Sequence, residues 1–231
     1  MVDHLIERAL HQGKSNRISK NIRTGSKDKE LVELRRKQIA SCAGSVIIKK
    51  SYYQTSVREI AAACNMSMGS LYNYVGAKED ILYLVIKDGV SEFEEFHSKA
   101  ATIFKTMEPA EALRGAIDCY CRLIDRSSDR VLFAYLETKT LPAEYRNASL
   151  DSELDVVSSF EELLVRGCKE GEFDVADPHL VALNIATICE MWAVRRWFIG
   201  KDMCLQDYIS SQTEYILRSI VSHRECCKDA H

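Results

Sequence analysis

TSVREIAAACNMSMGSLYNYVGAKEDILYLVI, residues 55–86, is the stretch whose reading decides the fold. Ser56 opens a Ser-Val-Arg-Glu run in which the serine side chain caps the amide three residues on and Glu59 reaches back to the Ser56 amide, a reciprocal arrangement that starts a helix. Val57, Ile60, Ala61 and Cys64 then recur at helical spacing, so a helix of about nine residues buries that face. Asn65 follows at the point where the chain must turn, and asparagine is one of the few residues besides glycine that tolerates the left-handed conformation. Ser67 is placed to cap a third, short helix holding Leu71, Tyr72 and Tyr74. A further helix begins near Lys78 and runs through Ile81, Leu82, Val85, Phe93 and Phe96.

Upstream, Ile39, Cys42, Ala43, Val46 and Ile47 share one helical face, which predicts a longer helix over 31–50. A longer helix followed by two short ones with a tight turn between them is a DNA-binding tri-helical unit when the last helix is free to enter the major groove. Ser67, Met68, Gly69, Ser70, Asn73 and Tyr74 suit that task, being mostly small or polar at the front of that helix. Thr55 and Ser56 are placed to donate to a phosphate. Lys78 stands at a helix N-terminus, where a cation is disfavoured by a few tenths of a kcal/mol. Either a DNA phosphate compensates by accepting from its ammonium and the free amides of the helix end, or Glu79 and Asp80 balance a solvated lysine.

Charge is split along the chain. Residues 1–87 carry 15 Lys and Arg against 8 Asp and Glu, whereas the remainder carries 16 against 26, within an overall net charge of -3. A basic front end followed by an acidic body fits a DNA-binding module joined to a regulatory domain, because only the former gains from phosphate attraction. The first 30 residues read as a basic, flexible arm with Lys14, Arg17, Lys20, Arg23, Lys27 and Lys29, either a solvated tail or a segment that lies along DNA.

The rest of the chain is punctuated as helices. Only 10 glycines and 3 prolines interrupt it, and 46% hydrophobic content is enough to fill cores. Helices are expected near 109–125, 130–139, 150–169, 178–199 and 205–222, with Pro109 and Pro178 in first turns, Asp177 as a cap and Gly171 and Gly200 just past helix ends. The fold class is all-α: an arm at 1–30, a helix-turn-helix domain at 31–77 and a helical ligand-binding and dimerisation domain at 78–231. No apolar run approaches the roughly 20 residues of a membrane span, and the N-terminus lacks the pattern of a signal peptide, so a cytoplasmic location is expected.

At this point the residues resemble a known family. The stretch quoted above is similar to the helix-turn-helix and following helix of the TetR family of transcriptional repressors, through its capping box, its Gly-Ser-Leu-Tyr at 69–72 and its Lys-Glu-Asp-Ile-Leu at 78–82. Asn65, Val75 and Ala77 depart from the family's usual glycine, aromatic and serine. The resemblance implies Tyr72 and Lys78 as phosphate contacts and Ser67, Met68, Ser70, Asn73 and Tyr74 as groove-facing residues. It also implies a homodimer whose last two long helices form an intersubunit bundle. The apolar residues Leu180, Leu183, Ile185, Ile188, Met191, Trp192, Val194, Trp197 and Phe198 point the same way, since they cover more of one helix than a single buried face needs. Two recognition helices about 34 to 36 Å apart then predict a palindromic operator.

More loosely, Leu136 to Glu144 and Glu190 to Phe198 resemble a TetR subgroup associated with fatty-acid or aromatic-acid catabolism. That resemblance implies an acyl- or aryl-coenzyme A thioester as the effector that releases DNA, with no resident cofactor. Phe104, Tyr120, Phe133, Tyr135 and Trp192 are candidate lining, and Arg195 or Arg196 candidates for the anionic head. The same aromatics also read as ordinary core, and the arginines as favouring a helix C-terminus. Glu137 and Glu190 are carboxylates in apolar surroundings that need partners, one of them expected to pair with an arginine.

Catalytic signatures are absent: there is no phosphate loop, no His-Glu-x-x-His and no nucleophile elbow, so no enzyme is expected. His223, Cys226, Cys227 and His231 carry metal-ligand atoms, but two adjacent cysteines rarely close a tetrahedral site, and no metal is assigned. A sensor of thiol oxidation, of a metal or of an uncharged hydrophobic compound on the same fold stays open, motivated in part by Cys119, Cys121, Cys226 and Cys227. A nonspecific architectural DNA binder is a further alternative.

Overall fold

The structure is a computed structural model and describes residues 22–137, 139 and 142–221. Among these residues the chain forms ten α-helices: α1 Lys29–Lys50, α2 Val57–Ala63, α3 Met68–Tyr72, α4 Lys78–Thr102, α5 Pro109–Arg126, α6 Ser128–Glu137, α7 Ala143–Glu170, α8 Pro178–Val194, α9 Arg196–Ile199 and α10 Leu205–Ile220. A 3-10 turn, Phe104–Thr106, joins α4 to α5. The all-α expectation holds, and no helix among the described residues is long and apolar enough to cross a membrane.

The chain divides into two compact units. One comprises the described residues through Val90 together with Glu137–Glu153, and the other Ser91–Leu136 with Leu154 onward. By packing, the boundary therefore falls within α4, between Val90 and Ser91, instead of at the helix's first residue.

In the first unit, α1 begins at Lys29, two residues earlier than its apolar pattern shows, because Asp28 caps it by accepting from the Leu31 amide at 3.0 Å. The predicted arm accordingly ends sooner. Ile39, Ala43 and Ile47 of α1, Ile60 and Ala61 of α2, Leu71 of α3, Val75, and Ile81 and Leu82 of α4 are buried together as its core. The turn between α2 and α3 is made as expected by Asn65, whose φ is 54°.

In the second unit, Leu113, Ala116, Ile117 and Tyr120 of α5, Phe160 and Leu164 of α7, Ala182, Ile185 and Cys189 of α8, and Ile216 and Leu217 of α10 form the core. The link from α7 to α8 turns at Gly171, at φ 78°, and the amides of Glu172 and Phe173 both donate to the Gly167 carbonyl. Phe173 folds back over Gly167 so closely that a Cβ there would stand 2.1 Å from its ring.

Two predicted helices are corrected: the one expected at 150–169 begins already at Ala143, and a second is broken. The run 178–199 is not continuous: α8 ends at Val194 with Arg195 as its C-cap at φ -116° and ψ 15°, and α9 follows as a separate turn. Neither Gly nor Pro marks the break. It coincides with Asp125 of α5, which accepts from Trp192 Nε1 on one side of the break and pairs with Arg196 on the other.

Candidate nucleic-acid interface and sensor core

The helix-turn-helix is built by local hydrogen bonds. Ser56 Oγ accepts from the Glu59 amide at 3.2 Å, and Glu59 Oε2 accepts from the Ser56 amide at 2.8 Å, closing the reciprocal cap. Lys50 at the end of α1 also pairs with Glu59. The Lys50 ammonium, then the Ser56 amide and hydroxyl, hold the Glu59 carboxyl down at about 2. Ser67 caps α3 by accepting from the Ser70 amide at 3.0 Å. Leu71 anchors that five-residue helix in the core, leaving Ser67, Gly69, Tyr72 and Asn73 exposed and Met68, Ser70 and Tyr74 half-buried.

Two expectations at this site are revised. Thr55 is 1% exposed and its hydroxyl donates to the Ser51 carbonyl at 2.8 Å, so it serves the α1–α2 turn, whereas Ser56 is exposed with its hydroxyl donating to Glu59 Oε2 at 2.8 Å. Lys78 is half-buried and also has a partner within the chain that neither reading named: its ammonium donates to the Tyr52 carbonyl at 2.6 Å and lies 4.3 Å from the Tyr52 ring centroid. Asp80, 7% exposed, fills the adjacent helix end by accepting from the Gly76 and Ala77 amides. Sequence reasoning missed Tyr52 and the cap made by Asp80, although an acidic residue in a first turn was a usable signal for the latter.

In the second unit, Tyr120 is the centre of an aromatic cluster. Its ring lies 6.2 Å from Phe93, 5.0 Å from Phe96 and 5.7 Å from Phe160. Its hydroxyl donates to Glu190 Oε1 at 2.9 Å, so a tyrosine is one partner of a carboxylate for which only an arginine was expected. Trp192 stacks near Tyr208 at 5.3 Å and donates to Asp125 at 2.8 Å, and Arg196 pairs with that same carboxylate at 3.1 Å. Asp125 was not singled out from sequence, where one acidic residue at a helix end carries no distinguishing pattern.

The other candidate lining residues scatter. Phe104 and Phe133 are buried, with the Phe104 ring edge set against Gly115, where a Cβ would meet it at 2.8 Å. Tyr135 is 65% exposed and lines no interior space of a single chain, and Arg195 is likewise exposed. The Glu137 side chain, the basic residues Lys14, Arg17 and Lys20, and the tail residues His223, Cys226, Cys227 and His231 lie outside what the structure describes. Cys121 and Cys189 are buried as a pair, and the hydrogen bond from Cys121 with burial pushes the Cys189 thiol well above its ordinary range. Such a thiol stays protonated and is a poor nucleophile.

Comparison with known proteins bears directly on this architecture. Residues 40–83 match the family described as bacterial regulatory proteins, tetR family, and residues 106–201 match the tetracyclin repressor-like C-terminal domain. Over 183 residues the chain is 31% identical to the HTH-type transcriptional regulator HbdR of Aromatoleum sp. (strain CIB), spanning 79% of each protein. The chain belongs to the TetR family. This TetR-family regulator is also similar in fold to AibR, solved in complex with isovaleryl coenzyme A and operator DNA, with a TM-score of 0.66 at 24% identity over 78% of this chain and 97% of that one. Its likeness to FadR from Bacillus subtilis, solved with stearoyl-CoA, has a TM-score of 0.61 at 21% identity over 78% and 95% of the two chains. The helix-turn-helix of this TetR-family regulator is thus a DNA-binding element.

Proposed function

We propose that this chain is a repressor that binds a palindromic operator as a homodimer and releases it when an acyl- or aryl-coenzyme A thioester binds the helical domain. The DNA-binding half rests on one observation: α3 is anchored by Leu71 alone and turns Ser67, Gly69, Tyr72 and Asn73 outward. In this reading Ser67, Met68, Gly69, Ser70, Asn73 and Tyr74 meet base edges, while Ser56, Tyr72 and Lys78 meet phosphates. Lys78 keeps two N–H donors beyond the one given to Tyr52, so both roles are compatible.

Dimerisation is supported by apolar side chains left uncovered on the last helices of one chain. Leu180 is 51% exposed, Leu183 46%, Trp197 66% and Phe198 59%. The effector class is supported by the coenzyme A thioesters bound to AibR and FadR, and by a core that sets the polar Tyr120–Glu190 pair among aromatic rings. The helical region from α5 onward is the sensor in this reading.

The test is release of DNA. A palindromic duplex selected by the protein from a random library is labelled, and fluorescence anisotropy follows the complex while short-chain, long-chain and aryl thioesters are added. Release by one class at micromolar concentration, with free coenzyme A inert, is the expected result. A complex indifferent to every thioester overturns the effector assignment and leaves the DNA-binding role standing.

A further inference from the structure

Just before α1, residues 22–28 form a built segment fastened to the far end of the recognition helix. The Thr24 hydroxyl and the Gly25 amide both donate to the Asn73 carbonyl, at 3.0 and 2.8 Å, filling the two lone pairs of the residue that caps α3. Arg36 of α1 clamps both partners at once, with Nη2 on the Ile22 carbonyl at 2.9 Å and Nε on the Tyr74 carbonyl at 3.1 Å. Ile22 is buried, and the segment is braced internally by the Ser26 amide on Thr24 Oγ1 and the Asp28 amide on Ser26 Oγ, both at 3.3 Å. Three of these hydrogen bonds tie the segment to Asn73 and Arg36, two more lie within it, and none is needed to start α1, which Asp28 caps.

Resting on the assignment of α3 to the major groove, we infer that this strap is a second DNA-contacting element, with Arg23 and Lys27 as its phosphate ligands and Arg36 as the residue that positions it. A helix with its side chains is about 10 to 12 Å across and the groove about 12 Å wide, so whatever flanks the recognition helix meets the sugar-phosphate rim. The strap flanks it directly, through Asn73. Arg23 and Lys27 are exposed, and neither has an acidic partner among the described residues. Arg23 also stands beside the turn that leads to Lys78, since its Cβ lies 3.9 Å from where a side chain on Gly76 would begin. The strap thus brings Arg23 against the turn that precedes Lys78, with Lys27 exposed on the same segment. Asp80 in that turn is buried, and its Oδ2 accepts from the Gly76 and Ala77 amides, so it turns inward from the surface the cations face.

The experiment measures binding of the full chain to a palindromic duplex that the wild-type protein has selected from random sequence, as a function of salt. Each phosphate neutralised contributes about 0.9 to the slope of log K against log salt. Replacing both cations, R23A/K27A, is expected to lower the magnitude of that slope by about 1.8 and to weaken binding equally on operator variants. The control K169A/K201A removes two exposed positive charges from the other unit and should leave the slope unchanged. R36A should weaken binding in the wild-type background and add little in the R23A/K27A background, because it acts through the strap. Its folding is checked by thermal unfolding, and if it fails to fold the R23A/K27A result decides. A slope unaltered by R23A/K27A, or altered no more than by the control, overturns the strap while leaving α3 as the reader. A wild-type protein that selects no duplex overturns both.

Discussion

A methyl group added at Gly69 would meet nothing closer than Ser67 Oγ at 4.0 Å, so nothing inside the chain requires glycine at that position. Gly69→Ala is therefore expected to leave stability unchanged or raise it by up to about 1 kcal/mol, since alanine favours the helix. The same change should weaken operator binding, because the added methyl stands between α3 and the base edges. Opposite signs in urea unfolding and DNA binding would separate contact from folding; a loss of both together would mean Gly69 is structural. Glu59 offers a pH test. Its carboxyl sits at about 2 in the fold, below the ordinary 4.5, chiefly because Lys50 donates to it, so its contribution is present above about pH 4.5 and is lost as pH falls through 4.5 toward 2. Glu59→Gln should be less stable than wild type at pH 6, and the gap should close by about pH 2. A gap independent of pH would mean that the capping hydrogen bonds, and not the charge, carry the effect.

Among the elements, the connection from α4 to α5 shows how an irregular segment is held. Arg166 of α7 donates to the carbonyls of Phe104, Lys105 and Met107 at 3.1, 2.6 and 2.8 Å, adding to the turn's own bond from the Met107 amide to the Phe104 carbonyl. Arg166→Met keeps most of the apolar stem and removes all three bonds. It should cost about 1 to 3 kcal/mol in urea unfolding and raise amide exchange locally between residues 103 and 108. Exchange spread evenly over α7 would instead show that the stem's packing matters more than the clamp. Legibility of the elements divided in the same way. The starts of α2, α3, α5 and α8, marked by a recognised cap or a proline, were placed correctly from sequence, whereas the Asp28 cap of α1 was overlooked and that start was read two residues late. The α8–α9 break was missed, because Arg195 differs from its neighbours in no local property and the chain turns there around an aspartate from another helix.

For the whole molecule, the proposed homodimer rests on the exposed apolar residues of α8 and α9. A stable interface covers about 1,200 to 2,000 Å² in total, and Leu180, Leu183, Trp197 and Phe198 give a self-complementary pair of chains an apolar centre for it. Leu183→Asp leaves the monomer's core alone, since Leu183 is 46% exposed. It should shift sedimentation from dimer to monomer and weaken operator binding by about 100-fold or more, because each half-site then binds without the effective concentration supplied by its twin. A dimer that survives this change places the interface elsewhere.

Taken by itself, the sequence determined the helix-turn-helix, the turn at Asn65 and the family, because those features are written in hydrogen bonds and apolar spacings between residues at most a few positions apart. It also separated a basic front from an acidic body, which is a sum over residues and needs no coordinates. Only the tertiary structure decided that Thr55 turns inward, that Lys78 lies against Tyr52 across 26 positions, and that Thr24 closes on Asn73 across 49. It alone joined Trp192 to Asp125 across 67 positions and Tyr120 to Glu190 across 70. Such pairs follow no period along the chain. They form because burying a polar group without a partner costs several times what a typical hydrogen bond contributes, so packing selects whichever distant residue can supply one.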